Sequence, residues 1–289
     1  DVHTVILLGV TKVLSTARGE FSGTVKMFFQ LAEETTGGAL RMIQAGWLEN
    51  PKAEAVFGLH VDPSLPVGSI YYRYGALFAC SDLLKITVKG EAAHAGYPEE
   101  GIDSIVVASE IVLGLQTIAS RKVSFSDEVV LSFGKITGGE VINALAKEVV
   151  IEGTLRTFNP SVREKVLAEI EHVATHIASA HHATARLEVT QGYPVLINDK
   201  KAVDHMVDVA HKVLGSQNVL ERKKPTAGSE DFAFFGQYVP SCYYLLGVAD
   251  FEKGINHPIH SPLFDVDQKA IFWGCLLQTM ITLDFLRKE

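Results

Sequence analysis

Cysteine is scarce in this sequence: three occur among 289 residues, at 80, 242 and 275, an odd number with no CxxC pair. That usage argues against a disulfide framework and favours a reducing compartment, the cytoplasm. No run of about 18 uninterrupted apolar residues occurs, so no segment is expected to span a membrane. Basic residues are also outnumbered, 26 Lys and Arg against 34 Asp and Glu, for a formal charge of −8. A nucleic-acid partner, which calls for a basic footprint, is therefore not expected. Internal repeats and low-complexity stretches are absent. What is present is core material: with 47% hydrophobic and 21% charged residues, the length suits one large or two ordinary domains and excludes disorder.

Periodicity divides the chain. Val2, Ile6, Leu7, Val10 and Val13 recur at helical spacing, then the apolar runs Thr24–Gln30 and Ala55–Leu59 read as buried strands around a short helix at Gly37–Ala45. Continuous apolar strands between helices predict a parallel sheet covered on both faces. From Leu77 the character changes. A strand at Leu83–Lys89 is followed by a helix at Ser104–Ser120, with Ile105, Ala108, Ile111, Val112 and Leu115 on one face. Strands at Val129–Ile136 and Glu148–Thr157 come next, then a helix opened by Asn159-Pro160 and a strand at Ala185–Thr190. This order, β-α-β-β-α-β, is the ferredoxin-like pattern. The α/β character then returns, with helices at Lys201–Leu214 and Gln268–Arg287, a loop and helix from Thr226 to Tyr238, and a strand at Tyr243–Val248. The expected architecture is an α/β domain of residues 1–76 and 191–289, with residues 77–190 inserted as a second domain.

Three chemical clusters each follow an apolar strand: Glu33 and Glu34, His60, and the pair His257 and His260. In open α/β sheets ligands bind at the carboxyl ends of strands, so three such places converging outweigh any one of them. Taken singly, each has an ordinary explanation: a solvated turn, a hydrogen-bonded core histidine, a chance HxxH. Together they suit a divalent cation held by carboxylate and imidazole, with one glutamate as ligand and the other taking a proton from water. His172 and His176 stand i,i+4 on the inserted helix, but no HExxH glutamate accompanies them, and they read as ordinary histidines, as do His205 and His211. His94 lies in GEAAHAGYP, where Gly96 permits a sharp turn; Asn143 connects two strands; Arg156 ends one and suits a carboxylate. Gly228-Ser229-Glu230-Asp231 opens a helix, either as its cap and acidic first turn or as support for a site.

The segments DVHT, FQLAEETTGGALRMI, VFGLHV, KGEAAHAGYPEEGID, GKITGG, EGTLRTFNP, TAGSEDF and HSPLFDVD resemble, in this order and over nearly the whole chain, one enzyme family. It is the hippurate hydrolase and auxin-conjugate hydrolase branch of the aminoacylase/carboxypeptidase-like metallopeptidases. The resemblance implies an amidohydrolase of N-acyl amino acids that uses two divalent ions, zinc, manganese, cobalt or nickel. It implies Glu33 as general base, Glu34, His60 and His260 as metal ligands, and His94 of an inserted lid as stabiliser of the amide oxygen. Asn143 and Arg156 are implied as substrate contacts, and a homodimer through the lid as the assembly. The family's opening motif reads Cys-Gly-His-Asp-x-His-Thr, and this chain begins at its Asp. Two further ligands are thus expected upstream, with His3 near the site, and the chain alone is expected to be impaired. Two rivals stay open: a dipeptidase with the same machinery, and an inactive member kept for binding or dimerisation.

Overall fold

The computed structural model describes residues 1–35 and 37–287. In chain order it contains α1 (Val2–Thr16), α2 (Ala39–Gln44), β1 (Val56–Pro66), β2 (Ile70–Tyr72), β3 (Gly75–Phe78), β4 (Asp82–Lys89), α3 (Ser104–Thr117), β5 (Val129–Gly138) and β6 (Glu148–Thr157). There follow α4 (Pro160–Ala180), β7 (Thr184–Gln191), β8 (Leu196–Asn198), α5 (Lys200–Leu214), β9 (Val219–Glu221), β10 (Ser241–Ala249) and α6 (Lys269–Arg287). Contacts divide the chain into two units: Asp1–Leu77 with Leu196–Pro225 and Glu230–Glu289, and Phe78–Val195 with Thr226–Ser229.

In the first unit the apolar run of β10 places that strand inside the sheet, where every one of its residues is buried. It pairs in parallel with β1, Val56 opposite Ser241 and Asp62 opposite Gly247. On its other side lies β2, antiparallel, and then β9, giving the order β1-β10-β2-β9. The sheet is therefore mixed rather than purely parallel. β3 and β8 form a separate two-stranded sheet. α1, α5 and α6 contribute Ile6, Val10, Met206, Val209, Leu277 and Ile281 to one core with Tyr244 and Leu246. Helix α5 has clean ends: the Asp199 side chain accepts from Ala202 N at 3.0 Å, and Gly215 at φ 79° stops it. Two expectations need correction. Thr24–Gln30 forms no strand, because no described strand pairs with it; Val25 and Met27 instead pack on the core while Lys26 Nζ donates to the carbonyls of Trp47 and Glu49. The helix foreseen within Thr226–Tyr238 is a 3-10 helix, Asp231–Gln237.

In the second unit β4 alternates as its sequence reads, with Leu84, Ile86 and Val88 inward and Lys85 and Lys89 outward. The sheet order is β5-β6-β4-β7, every pair antiparallel, with β5 at one edge. Both helices pack on one face, α3 through Val107, Ala108, Ile111 and Leu115, α4 through Val166, Ile170, Ala174 and Ala178. Ile105, expected on the inward face of α3, is exposed, and Val107 takes that place, so the buried stripe follows 104, 107/108, 111 and 115. A π-helical turn, Ile118–Lys122, ends the helix. Asp82 is buried, and Arg163 of α4 clasps it with Nε at 2.7 Å and Nη2 at 2.8 Å. Residues 226–229, placed by the sequence reading in the first domain, pair here: Ala79 N donates to the carbonyls of Thr226 at 3.1 Å and Gly228 at 2.9 Å. Ser104–Lys122 and Lys269–Arg287 have the length and composition of membrane spans. Each nevertheless lays its apolar stripe on a protein core, Ile111 and Leu115 in one, Leu277 and Ile281 in the other.

Candidate functional site

The candidate side chains of the first unit lie in its sheet and in the segments beside it. Glu33 and Glu34 lie in the turn before α2, His60 within β1, and His260 in the loop between β10 and α6. Ala32 and His260 both hold the left-handed backbone conformation, φ 59° and 65°. Such strain at non-glycine residues costs on the order of 1–3 kcal/mol and gathers at functional places. Beside these residues Glu34 Oε2 lies 3.8 Å from His260 Nε2.

Glu33 has other hydrogen-bonding and carboxylate neighbours, although the charges of Glu34 and His260 reach it too. One oxygen each of Glu33, Glu230 and Asp231 lie within 4.8 Å of one another. The backbone N–H of Asp231 donates to Glu33. Burial, then the charges of Glu34 and Asp231, push the Glu33 carboxyl up to about 7, against the opposing pull of His260. Burial, then Glu33, pushes Glu230 up to about 8. Glu230 is held on both oxygens, by Phe232 N at 3.2 Å and the Tyr243 hydroxyl at 2.8 Å. Glu230 and Asp231 were weighed in the sequence as cap or support and not assigned. The available signal is two carboxylates directly before the buried run Phe232-Ala233, an arrangement too costly for a mere solvated turn.

His60 sits beside His3 of α1, ring centroids 4.6 Å apart. Its Nδ1 lies 2.7 Å from the carbonyl of Val61, so Nδ1 carries the hydrogen and Nε2 is left with its lone pair. His3 is committed differently: its Nε2 accepts from Val61 N at 3.0 Å, and burial, then His60, lowers its pKa to about 3. It is a neutral neighbour that orients backbone. Of the three residues expected as ligands, the structure brings Glu34 and His260 together, while the contacts of His60 are with His3 and Val61; carboxylate and imidazole of this kind are donors that suit zinc, manganese, cobalt or nickel.

The remaining candidates belong to the second unit. Antiparallel pairing of β4 with β6 continues past the strands: Gly90 N donates to Lys147 O at 3.0 Å, Leu145 N to Ala93 O at 2.8 Å, and Ala95 N to Asn143 O at 2.9 Å. His94 and Asn143 are thereby neighbours, both exposed. Gly96 N donates to His94 Nδ1 at 3.0 Å, which leaves the hydrogen of the neutral ring on Nε2. Gly96 is not in the left-handed region, so its use is not conformational: a Cβ there would lie 3.1 Å from His94 Nδ1. Arg156 is elsewhere. It follows Leu155, the partner of Asp82, and so lies at the opposite end of the sheet from Lys89 and the His94 loop. The eight-residue β4 between them spans roughly 24 Å.

The other histidines have other occupations. His176 Nδ1 bonds His172 O at 2.7 Å, His181 Nε2 meets Glu110 at 2.6 Å, and His211 Nδ1 meets Ser216 at 2.9 Å. Buried His205 bonds Ile281 O at 3.0 Å, tying α5 to α6. Replacing His172 and His176 together by Gln is expected to leave metal stoichiometry and turnover unchanged; elemental analysis showing less bound metal would reveal a site on α4.

The sequence profile of peptidase family M20/M25/M40 matches residues 1–279. An N-acetyl-L-cysteine deacetylase of Bacillus subtilis is 36% identical over 271 residues, covering 94% of this chain and 63% of that protein. An IAA-amino acid hydrolase, ILR1-like 4 of Arabidopsis thaliana, is 33% identical over 290 residues, covering 99% and 65%. The chain thus spans about two thirds of the length of these relatives. Among solved structures, the YXEP protein of Bacillus subtilis, described as a dinuclear metal binding peptidase from the M20 family, superimposes with a TM-score of 0.85 at 29% identity. That match covers 100% of this chain and 72% of its own. With a family match over nearly its whole length, the chain belongs to peptidase family M20/M25/M40, a family of metal-dependent amide hydrolases.

Proposed function

We propose that the protein hydrolyses the amide bond of N-acyl amino acids, using two divalent ions for which Glu34, His60 and His260 supply side-chain donors. The observation that supports this reading is the different partnering of two adjacent carboxylates: Glu34 lies beside His260, while Glu33 accepts from Asp231 N with its pKa near neutrality. When bound, the ions supply Lewis-acid activation of water and of the amide carbonyl. Glu33 takes the proton from the attacking water and delivers it to the leaving nitrogen, a role for which a pKa of about 7 is well matched. His94 Nε2–H donates to the carbonyl oxygen as it gains charge, with Asn143 beside it. The Arg156 guanidinium takes the free carboxylate of the amino acid.

In this reading the ferredoxin-like unit is a lid and a dimerisation domain. The strand register keeps Arg156 roughly a strand length from His94 and Asn143, so a small substrate that meets both needs them from two copies. The second unit also leaves β5 as an open edge. Beside it is a cavity of about 400 Å³ lined by Ser109, Leu113 of α3, Phe133 and Ile136. Leu113 and Ile136 are exposed. An apolar edge of this kind recruits a second strand, and a two-fold partner would extend the sheet. Leu113→Asp is expected to shift the protein from dimer to monomer in sedimentation; an unchanged mass would remove this face from consideration.

The activity is tested by supplying zinc or manganese and comparing N-acetyl amino acids, hippurate and indole-acetyl amino acids with dipeptides. Hydrolysis of the N-acyl compounds is expected. Cleavage of dipeptides alone would replace the reading by a dipeptidase, and no cleavage would favour a binding role.

A further inference from the structure

Asp231 is fully buried and takes no part in the roles assigned above, yet three donors converge on it. Its Oδ1 accepts from the Gln30 side-chain amide, and its Oδ2 from Gly38 N at 2.7 Å and Ala39 N at 3.0 Å. Gln30 and Gly38 bracket the turn that carries Glu33 and Glu34, so one carboxylate ties down both ends of it. The same residue's backbone N–H donates to Glu33. The turn is closed tightly enough that a Cβ on Gly38 would lie 2.1 Å from Leu31 O, and within it Gly37 N donates to Ala32 O at 2.8 Å. The strained φ of Ala32 just before Glu33 needs such an external constraint to persist.

We propose that Asp231 is a positioning residue: by its bonds to Gln30, Gly38 and Ala39 it fixes the segment that carries Glu33 and Glu34 and so sets where the two carboxylates lie. The proposal rests on the hydrolase reading, and deepens it by naming what holds the two carboxylates in place. An Asp side chain suits the task because it accepts at both oxygens at once, whereas Ala would leave two backbone N–H groups at the start of α2 without their acceptor. Asn can reproduce the pattern: its oxygen accepts from Gly38 and Ala39, and its amide donates to a turned Gln30 amide.

The test compares Asp231→Ala, Asp231→Asn and the milder Gln30→Leu in the metal-loaded protein, by kcat and KM on an N-acyl amino acid and by amide hydrogen exchange. For Asp231→Ala, kcat should fall at least 100-fold with KM changed less than about threefold. Exchange at Gly38 and Ala39 should accelerate at least 100-fold while β1 and β10 keep their protection. Asp231→Asn should recover kcat to within about tenfold of the parent, and Gln30→Leu should lie between the two. A folded Asp231→Ala protein with parental kcat overturns the proposal, as does an Asp231→Asn variant as impaired as Asp231→Ala, which would make the charge and not the clamp the active property. If Asp231→Ala does not fold, unchanged kcat and exchange in Gln30→Leu overturn it equally. Absence of hydrolysis by the parent protein would overturn the hydrolase reading alone, and the exchange data would still decide for or against the clamp.

Discussion

Glu33→Gln is expected to lower turnover by roughly 10²–10⁴-fold while bound metal stays at the parental level. Glu34→Gln should lose metal together with activity. The two residues are adjacent and chemically identical, so the difference must come from their surroundings. Glu34 is exposed and its Oε2 lies 3.8 Å from His260 Nε2, a position that shares a cation between anion and imidazole. Glu33 is half-buried, accepts from the backbone of Asp231, and is pushed up to about 7 by burial and its acidic neighbours. A carboxyl with that pKa exchanges protons near neutral pH, and the amide of Gln, equal in size, cannot. Elemental analysis of both variants beside their turnover separates the roles; equal metal loss in the two would show that Glu33 is also a ligand.

Arg163→Ala should destabilise the second unit by about 3–5 kcal/mol. Asp82 has a side chain only 1% exposed, and its two oxygens are met by Arg163 Nε and Nη2 at 2.7 and 2.8 Å. Removing the guanidinium leaves a buried carboxylate facing little but the Cys80 thiol. For a unit of this size the loss corresponds to a melting temperature lower by on the order of 10 °C. The double variant Asp82→Leu with Arg163→Met should be milder than Arg163→Ala alone, because it removes the stranded charge as well as its partner. Thermal melts in which the single variant matches the parent within about 2 °C would mean that water reaches Asp82 and compensates it.

What could be read from the sequence follows from how far each pattern extends. The run of β10 and the alternation of β4 are long enough to fix both element and burial, and Asn159-Pro160 marks the start of α4 because an Asn cap and a Pro at the first turn are compatible with little else. Strands β2, β8 and β9 are three residues each, shorter than any period, and exist only through their partners. Thr24–Gln30 shows the converse: an apolar run states a wish to be buried, and it becomes a strand only if a neighbour offers its backbone. At the site, Glu33, Glu34 and His260 stood out because each follows an apolar run. The pairing of Glu34 with His260 was not legible, since it joins residues more than two hundred positions apart, and the left-handed backbone at Ala32 and His260 is not marked with glycine. Asp231 was hidden for another reason. In sequence it looks like the ordinary acidic first turn of a helix, and only the fold reveals that it reaches back some two hundred residues to Gln30 and Gly38.

Because β4 and β7 are neighbours in register, with Asp82 opposite Gln191, residues 82–191 of the second unit begin and end side by side, about 5 Å apart across one ladder rung. To the rest of the chain, more than a hundred residues therefore present themselves as a short hairpin would, and the loop-closure entropy of a long insertion is already met by the unit's own folding. Such a junction makes the unit portable. A two-residue turn, or a different domain with equally close ends, can stand between Ser81 and Gly192 without asking the α/β sheet to change its register. The segment can then be exchanged while the strands that carry His60 and Tyr243 stay as they are.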